Sequence, residues 1–291
     1  MLSTEQQNIY DEIIKFIDGN ENMLLLNASA GTGKTYLISY LVNTLSSKKI
    51  CISTPTHKSK QVVISKLNEF GEIKQDIETI HKLLLYSGSI DEYGNKVFTQ
   101  NKNIKINWKY DLIIIDECSM LSKNICNDIF KEINNNIKTK ILFCGDSSQL
   151  NPIGEVVSDI FTKNIRELKL DTIIRAKNFD IMNFSKIHRL WQLNDKNIPM
   201  IGEHISDNII LFCDETLWLN DFIKLLKKGN TQNIILCWTN KQCNYYNSYI
   251  RKKIFNKTIL EKYEIGEYLI FNGFHKICDN NEIIKFYQLD F

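Results

Sequence analysis

Three things are scarce in this 291-residue sequence, and each absence excludes something. There are eight cysteines, at 51, 118, 126, 144, 213, 237, 243 and 278, but no CxxC pair. Paired-cysteine metal or redox motifs are therefore missing. The thiols sit mostly in apolar, strand-like runs and read as reduced and buried, which fits an intracellular, reducing compartment. No apolar run approaches the roughly 20 residues of a membrane span. Met1 leads directly into a polar segment, so no signal peptide is expected. Net charge is scarce too: 36 Lys and Arg against 34 Asp and Glu leave +2. A polycationic coat is excluded, and any nucleic-acid surface must be a local basic groove. What remains, 43% hydrophobic and 24% charged, is a globular composition with real cores. The length makes two domains the natural expectation.

The stretch Met23 to Thr35, MLLLNASAGTGKT, organises the chain. Met23 to Leu26 is apolar and long enough for a buried strand. A turn of small residues follows, and then Lys34, Thr35 and an apolar helix pattern at Leu37, Ile38, Leu41, Val42 and Leu45. Strand, glycine-rich turn and helix start are the context of a P-loop. Gly31 and Gly33 permit backbone angles that turn successive N–H groups inward, toward phosphate oxygens at a helix N-terminus. Ala28, Ser29, Ala30, Gly31, Thr32, Gly33, Lys34, Thr35 and Tyr36 are the candidate nucleotide-binding residues. Lys34 would reach the β- and γ-phosphates, and the Thr35 hydroxyl would ligate Mg²⁺. The general pattern has glycine where this chain has Ala28. A glycine-rich strand–helix turn with a solvated lysine is the bland alternative, and GTGKT in this context argues against it.

A second signal is YDLIIIDECSM, Tyr110 to Met120. An apolar strand ends in Asp116-Glu117, the Walker B arrangement. One carboxylate holds the Mg²⁺ shell, and its neighbour can take a proton from the attacking water. KILFCGDSSQLNPI, Lys140 to Ile153, repeats the design, with Gln149 suited to sensing the γ-phosphate or orienting water. Three strands thus end in polar loops that converge on one sheet edge.

The flanking segments are weaker. Leu2 to Gly19 reads as a capped amphipathic helix carrying Gln6, whose amide can both donate to and accept from an adenine edge. KICIS is a second strand, followed by a polar loop with Thr54, Thr56 and His57, and Thr79 and His81 open a further helix. Hydroxyls and imidazoles in such loops suit contacts to a nucleic-acid backbone. Residues 86–108 read as a small hairpin insert, with Tyr93, Phe98 and Trp108 as its aromatics. An exposed aromatic there could stack on bases, whereas Trp108 fits a small core under the insert better. LKLDTIIR ends at Arg175, whose bland reading is a surface ion pair. Further on come an amphipathic helix (Leu217 to Leu226), a strand (Ile234 to Trp238), a helix opened by Thr239-Asn240-Lys241, and a strand from Gly266. That second βα unit implies another parallel-sheet domain.

LSTEQQNIY, NASAGTGKTYL, STPTHKSK, TIHKLL, LIIIDECSM, FCGDSSQLNPI, LDTIIRA and WTNKQCNYYNSYIRKKIF, in this order, resemble the ordered motifs of superfamily 1 DNA helicases of the 5′→3′ Dda and RecD type. The resemblance implies an α/β fold with a P-loop RecA-like domain over residues 1–165, carrying the hairpin at about 86–108. A second, incomplete RecA-like domain over 166–262 and the start of a β-rich insert over 263–291 would follow. ATP would lie between the domains and single-stranded DNA across their top. By resemblance Gln6 reads adenine, Asp116 and Glu117 serve Mg²⁺ and water, and Gln149 and Arg175 meet the γ-phosphate, Arg175 as a finger from the second domain. Thr54, Thr56, His57, Thr79, His81 and Asn240 would contact DNA, and Phe98 would be the wedge of a separation pin. Neither a QG-containing motif nor a GVTRGR-like string occurs before Phe291. A truncated or split motor, with the other half encoded separately, is therefore expected. Two alternatives stand beside it: a nucleotide-gated single-stranded-DNA-binding module without useful turnover, and a P-loop enzyme acting on a small molecule. The last gives Gln149 and the second domain no role.

Overall fold

The computed structural model describes residues 2–71, 75–90, 96–100, 104–174, 178–194, 198–200, 202, 205–229, 233–267, 275–279 and 282–286. It forms two compact units, residues 1–197 and 198–291.

The first unit opens with α1 (Thr4–Asp18), whose N-terminus is closed by a reciprocal capping box between Ser3 and Gln6. In chain order there follow β1 (Met23–Ala28), α2 (Lys34–Thr44), β2 (Ile50–Thr54), α3 (His57–Asn68), β3 (Asp76–Thr79), the single turn α4 (Ile80–Leu83) and the hairpin β4 (Tyr86–Ile90) and β5 (Lys96–Gln100). Then come β6 (Leu112–Ile115), α5 (Lys123–Asn135), β7 (Lys140–Gly145), β8 (Glu167–Leu170) and α6 (Phe179–Asn194). Six strands make one sheet in the order β3-β2-β6-β7-β1-β8, every pair parallel. Parallel pairing puts all six C-terminal ends on one edge, so the loops carrying the sequence signals meet there.

Period-two alternation splits the core into two layers. Leu24, Leu26, Ile52, Leu112, Ile114 and Leu142 face α1, α2 and α3. Leu25, Ile113, Ile115, Ile141 and Phe143 face α5 and the segment bearing Trp108. Trp108 is thus a core residue. Strands buried on both faces explain the near-continuous apolar runs of β1, β6 and β7. Cys51, Cys118, Cys126 and Cys144 lie inside these layers, whereas Cys213 is exposed and Cys237 and Cys243 are half-buried. Burial pushes the Cys51 thiol up to about 12 and that of Cys126 up to about 11.

The expected boundary at 165 does not coincide with the first unit's end. β8 adds to the free edge of β1, pairing Leu25 to Ala28 with Glu167 to Leu170. The chain beyond it stays tied to the same sheet, because Ile174 N–H donates to Gly31 O at 2.8 Å. The segment leading to Arg175 therefore belongs to the first unit and does not come from a second one. Arg175 itself lies outside the described residues.

In the second unit α7 (Glu215–Lys227) and α8 (Asn240–Phe255) pack around Leu219, Ile223 and Ile250. β9 (His275–Asp279) and β10 (Glu282–Phe286) form an antiparallel hairpin. The strand expected at Ile234 to Trp238 has no sheet partner among the described residues. It keeps the strand alternation: Ile235 packs against the α7–α8 core, while Ile234, Leu236 and Trp238 are exposed. An apolar alternation specifies which face is buried, but a ladder also needs a neighbouring strand. Of the strand expected from Gly266, residues 268–271 lie outside the described residues.

Candidate nucleotide and nucleic-acid site

The phosphate loop follows from β1 and α2. Gly31 and Gly33 both have φ of 81°, in the left-handed region. At Gly33 a side chain is also barred by space, since a Cβ would stand 2.6 Å from Gln6 Nε2. Gln6, only 2% exposed, donates from Nε2 to Thr32 O at 3.0 Å and accepts from Ser3 N–H at 3.0 Å. One amide proton and one acceptor lone pair are left for another partner. Ser29 N–H donates to Leu170 O, and Ser29 Oγ to Asp171 Oδ1 at 2.8 Å. Thr32 Oγ1 donates back to Ser29 O at 2.8 Å. Tyr36 stacks at a tilt on Phe70, with centroids 5.3 Å apart. The loop is thus fastened from α1, from β8 and from within.

Lys34 Nζ lies 2.7 Å from Asp116 Oδ1 and 3.1 Å from Glu117 Oε1. Burial opposes the ammonium charge, but the two carboxylates outweigh it and hold the Lys34 pKa above the ordinary lysine value. Two carboxylate contacts still leave at least one of the three ammonium protons for another acceptor. An ammonium with unspent protons beside inward-turned backbone N–H groups fits a polyphosphate. The Thr35 hydroxyl and the Asp116 carboxylate supply the oxygen donors that Mg²⁺ prefers. The residues present therefore fit both groups.

Glu117 is held at φ 54°, ψ 41°, an uncommon conformation for a residue with a side chain. Its N–H donates to Asp116 Oδ1 at 3.0 Å. The turn then runs into Cys118, which packs so close to Gly145 that a Cβ there would stand 2.7 Å from Cys118 Sγ. That contact brings the Glu117 turn beside the Gly145-Asp146 loop. In that loop Asp146 accepts from Ala30 N–H (2.9 Å) and Ser148 N–H (3.0 Å), and its carbonyl accepts from Gln149 N–H at 3.0 Å.

The residues expected to contact nucleic acid divide. Thr54 is fully buried and donates to Thr56 O, so it shapes its loop and has no surface to offer. Thr56 caps α3 through a box with Ser59, and Thr79 caps α4. His57 and Asn240 are exposed, Asn240 in the second unit. His81 and Phe98 stack with centroids 4.8 Å apart, and Tyr86 meets the His81 ring edge-on. Burial and the neighbouring His57 hold the His81 imidazole below its usual pKa. The hairpin is anchored by Gln100 Nε2 donating to Leu84 O and by Tyr86 OH donating to Asp128. Phe98 remains 52% exposed on that anchored hairpin. Tyr93 lies outside the described residues.

A family model described as an AAA domain matches residues 11–155. The chain is 34% identical over 311 residues to an uncharacterized protein of Acanthamoeba polyphaga mimivirus, covering 97% of this chain and 62% of that protein. It is 26% identical over 283 residues to the ATP-dependent DNA helicase dda of Enterobacteria phage T4, covering 92% and 60%. To the RecBCD enzyme subunit RecD of Buchnera aphidicola it is 29% identical over 205 residues, covering 63% and 32%. Over most of its length the chain is thus similar to superfamily 1 helicases of the Dda and RecD type. It spans about three fifths of the first two of these relatives. A similar fold is seen in the crystal structure of Bacteroides sp Pif1 in complex with ADP-AlF4. That structure matches with a TM-score of 0.51 at 19% identity, over 85% of this chain and 56% of that one.

Of the helicase-type motifs, the structure brings the phosphate loop, Asp116-Glu117 and the Gln149 loop to one edge, as expected. Two features were not foreseen. One is α6, whose Arg189 makes an ion pair with Asp146. The other is the role of Asp146 itself. The GD pair after β7 was visible in the sequence, but nothing there marks Arg189 as its partner.

Proposed function

We propose that this chain is the ATP-hydrolysing part of a DNA-translocating motor. The observation that carries the proposal is the pair Lys34–Asp116 at 2.7 Å, with Glu117 beside it, beneath a glycine-built phosphate loop. ATP is the substrate: Lys34 would neutralise its terminal phosphates, the loop N–H groups would bind their oxygens, and Gln6 would meet the adenine with its remaining proton and lone pair. Thr35 and Asp116 would hold Mg²⁺, which supplies Lewis-acid charge to the phosphates when bound. Glu117 is the candidate base for the attacking water, its carboxylate held half-exposed at the strained turn. Gln149 is suited to orient that water, and Arg175 to offset charge on the γ-phosphate.

Single-stranded DNA is the proposed partner, supported by relatives named as helicases and by the exposed Phe98 on its hairpin. Phe98 would wedge or stack, and His57, His81, Thr56, Thr79 and Asn240 would track the backbone. Thr54 acts only by supporting its loop. ATP hydrolysis with and without single-stranded DNA tests this reading. Hydrolysis that rises on adding DNA supports a motor. Nucleotide-dependent DNA binding with no turnover would favour the gated binding module instead.

A further inference from the structure

Asp146 is 1% exposed and sits at a junction of three elements. Its Oδ2 accepts from Ala30 N–H of the phosphate loop at 2.9 Å. Its Oδ1 accepts from Ser148 N–H at 3.0 Å, one residue before Gln149. The same Oδ1 takes the guanidinium of Arg189, which reaches it from α6. A cavity of about 960 Å³ separates the rest of α6 from the sheet edge, and Lys169, Lys186 and Gln149 line it. Across that gap the ion pair of Arg189 with Asp146 joins helix to loop. A nearly dry carboxylate needs its counter-charge, because an unpaired buried charge is costly. Without Arg189 the carboxylate would lose its counter-charge while still holding two backbone donors, which favours a shift of Asp146 toward water.

We propose that Arg189 is a positioning residue of the nucleotide site, setting through Asp146 the placement of both Ala30 in the phosphate loop and Gln149 in the next. Arg189 touches no substrate in this role. The inference rests on the nucleotide-site reading above. It adds that α6 is linked to the phosphate loop through Asp146.

The test is titration of the 291-residue chain with a fluorescent ADP, alongside thermal melting without nucleotide. Asp146→Asn and Arg189→Gln should each weaken ADP binding by about tenfold, within the range seen for coupled neighbours. The double variant should be no weaker than the worse single one, since both break the same link. Arg189→Lys keeps the charge and should recover part of the affinity. Lys186→Gln removes a neighbouring cation from the same helix and should leave affinity unchanged. Equal affinity for wild type and Arg189→Gln overturns the proposal, as do additive effects of the two substitutions or an equal loss in Lys186→Gln. If the variants lower only the melting temperature, Arg189 is structural and the proposal fails. A wild-type chain that binds no ADP would instead refute the nucleotide-site reading on which the proposal rests.

Discussion

Gln6, on the first helix, donates its side-chain amide to the carbonyl of Thr32, 26 residues away in the phosphate loop, at 3.0 Å. The contact joins a candidate base-reading residue to the turn that would hold the phosphates. It also leaves no room for a side chain at Gly33, whose φ of 81° already disfavours one.

Gln6→Ala should therefore act on stability and on nucleotide affinity together. It removes half of the capping box and a buried hydrogen bond, worth about 1–2 kcal/mol in unfolding free energy. Urea melts and ADP titrations on the same preparation measure both. A variant that loses affinity with unchanged stability would mean that Gln6 only reads the base. Gly33→Ala should be worse on both counts.

Glu117→Gln should leave Mg·ATP affinity near wild type and slow hydrolysis by about 10²–10⁴, because a carboxamide cannot take the proton. Asp116→Asn should instead raise the Mg²⁺ concentration needed for binding. Single-turnover hydrolysis checks the first and Mg²⁺ titration the second. Wild-type turnover in Glu117→Gln removes Glu117 as the base.

The parts of the molecule that were legible in the sequence are those where chemistry fixes spacing. Lys34 and Thr35 open α2 just past the turn after β1, Asp116 and Glu117 follow directly on β6, and the apolar runs before them are buried strands. Their convergence followed from parallel pairing alone. β8 was less legible because ELKL carries only four residues of edge strand, and its role appears only in its pairing with β1. Thr54 illustrates a different limit: a polar residue after a strand reads the same whether its hydroxyl faces a ligand or the next carbonyl. Arg189 lay in a helix whose apolar pattern is faint, 43 residues from its partner Asp146.

His81 should titrate below its ordinary value of 6.5, since burial and His57 both oppose its charge. A folded pKa below the unfolded one means the unfolded chain binds the extra proton first as pH falls. The His81 contribution to stability is thus intact above about pH 6.5 and is lost as pH drops from there through the folded pKa. NMR titration of the imidazole checks the direction, and a value at or above 6.5 would contradict the stacked, partly buried placement against Phe98.

Phe98→Ala should weaken single-stranded DNA binding by about 1–3 kcal/mol if one base stacks on the ring. ADP affinity should not change. With a net charge of only +2, binding should also fall steeply with salt, because a local groove supplies the phosphate contacts. Fluorescence anisotropy with a labelled oligonucleotide at several salt concentrations reads both effects. Salt-indifferent binding would exclude a phosphate-tracking groove.

The most direct test of the nucleotide site is a Mg·ATP titration of the wild-type chain beside Lys34→Ala, with circular dichroism on each. Wild type should bind, and the variant should keep its helix and sheet signal while losing affinity by at least about a hundredfold, the scale of a lost charge-assisted contact. Equal affinity in a folded Lys34→Ala would show that the ammonium beside Asp116 and Glu117 does not serve a nucleotide, and the account would fail at its centre.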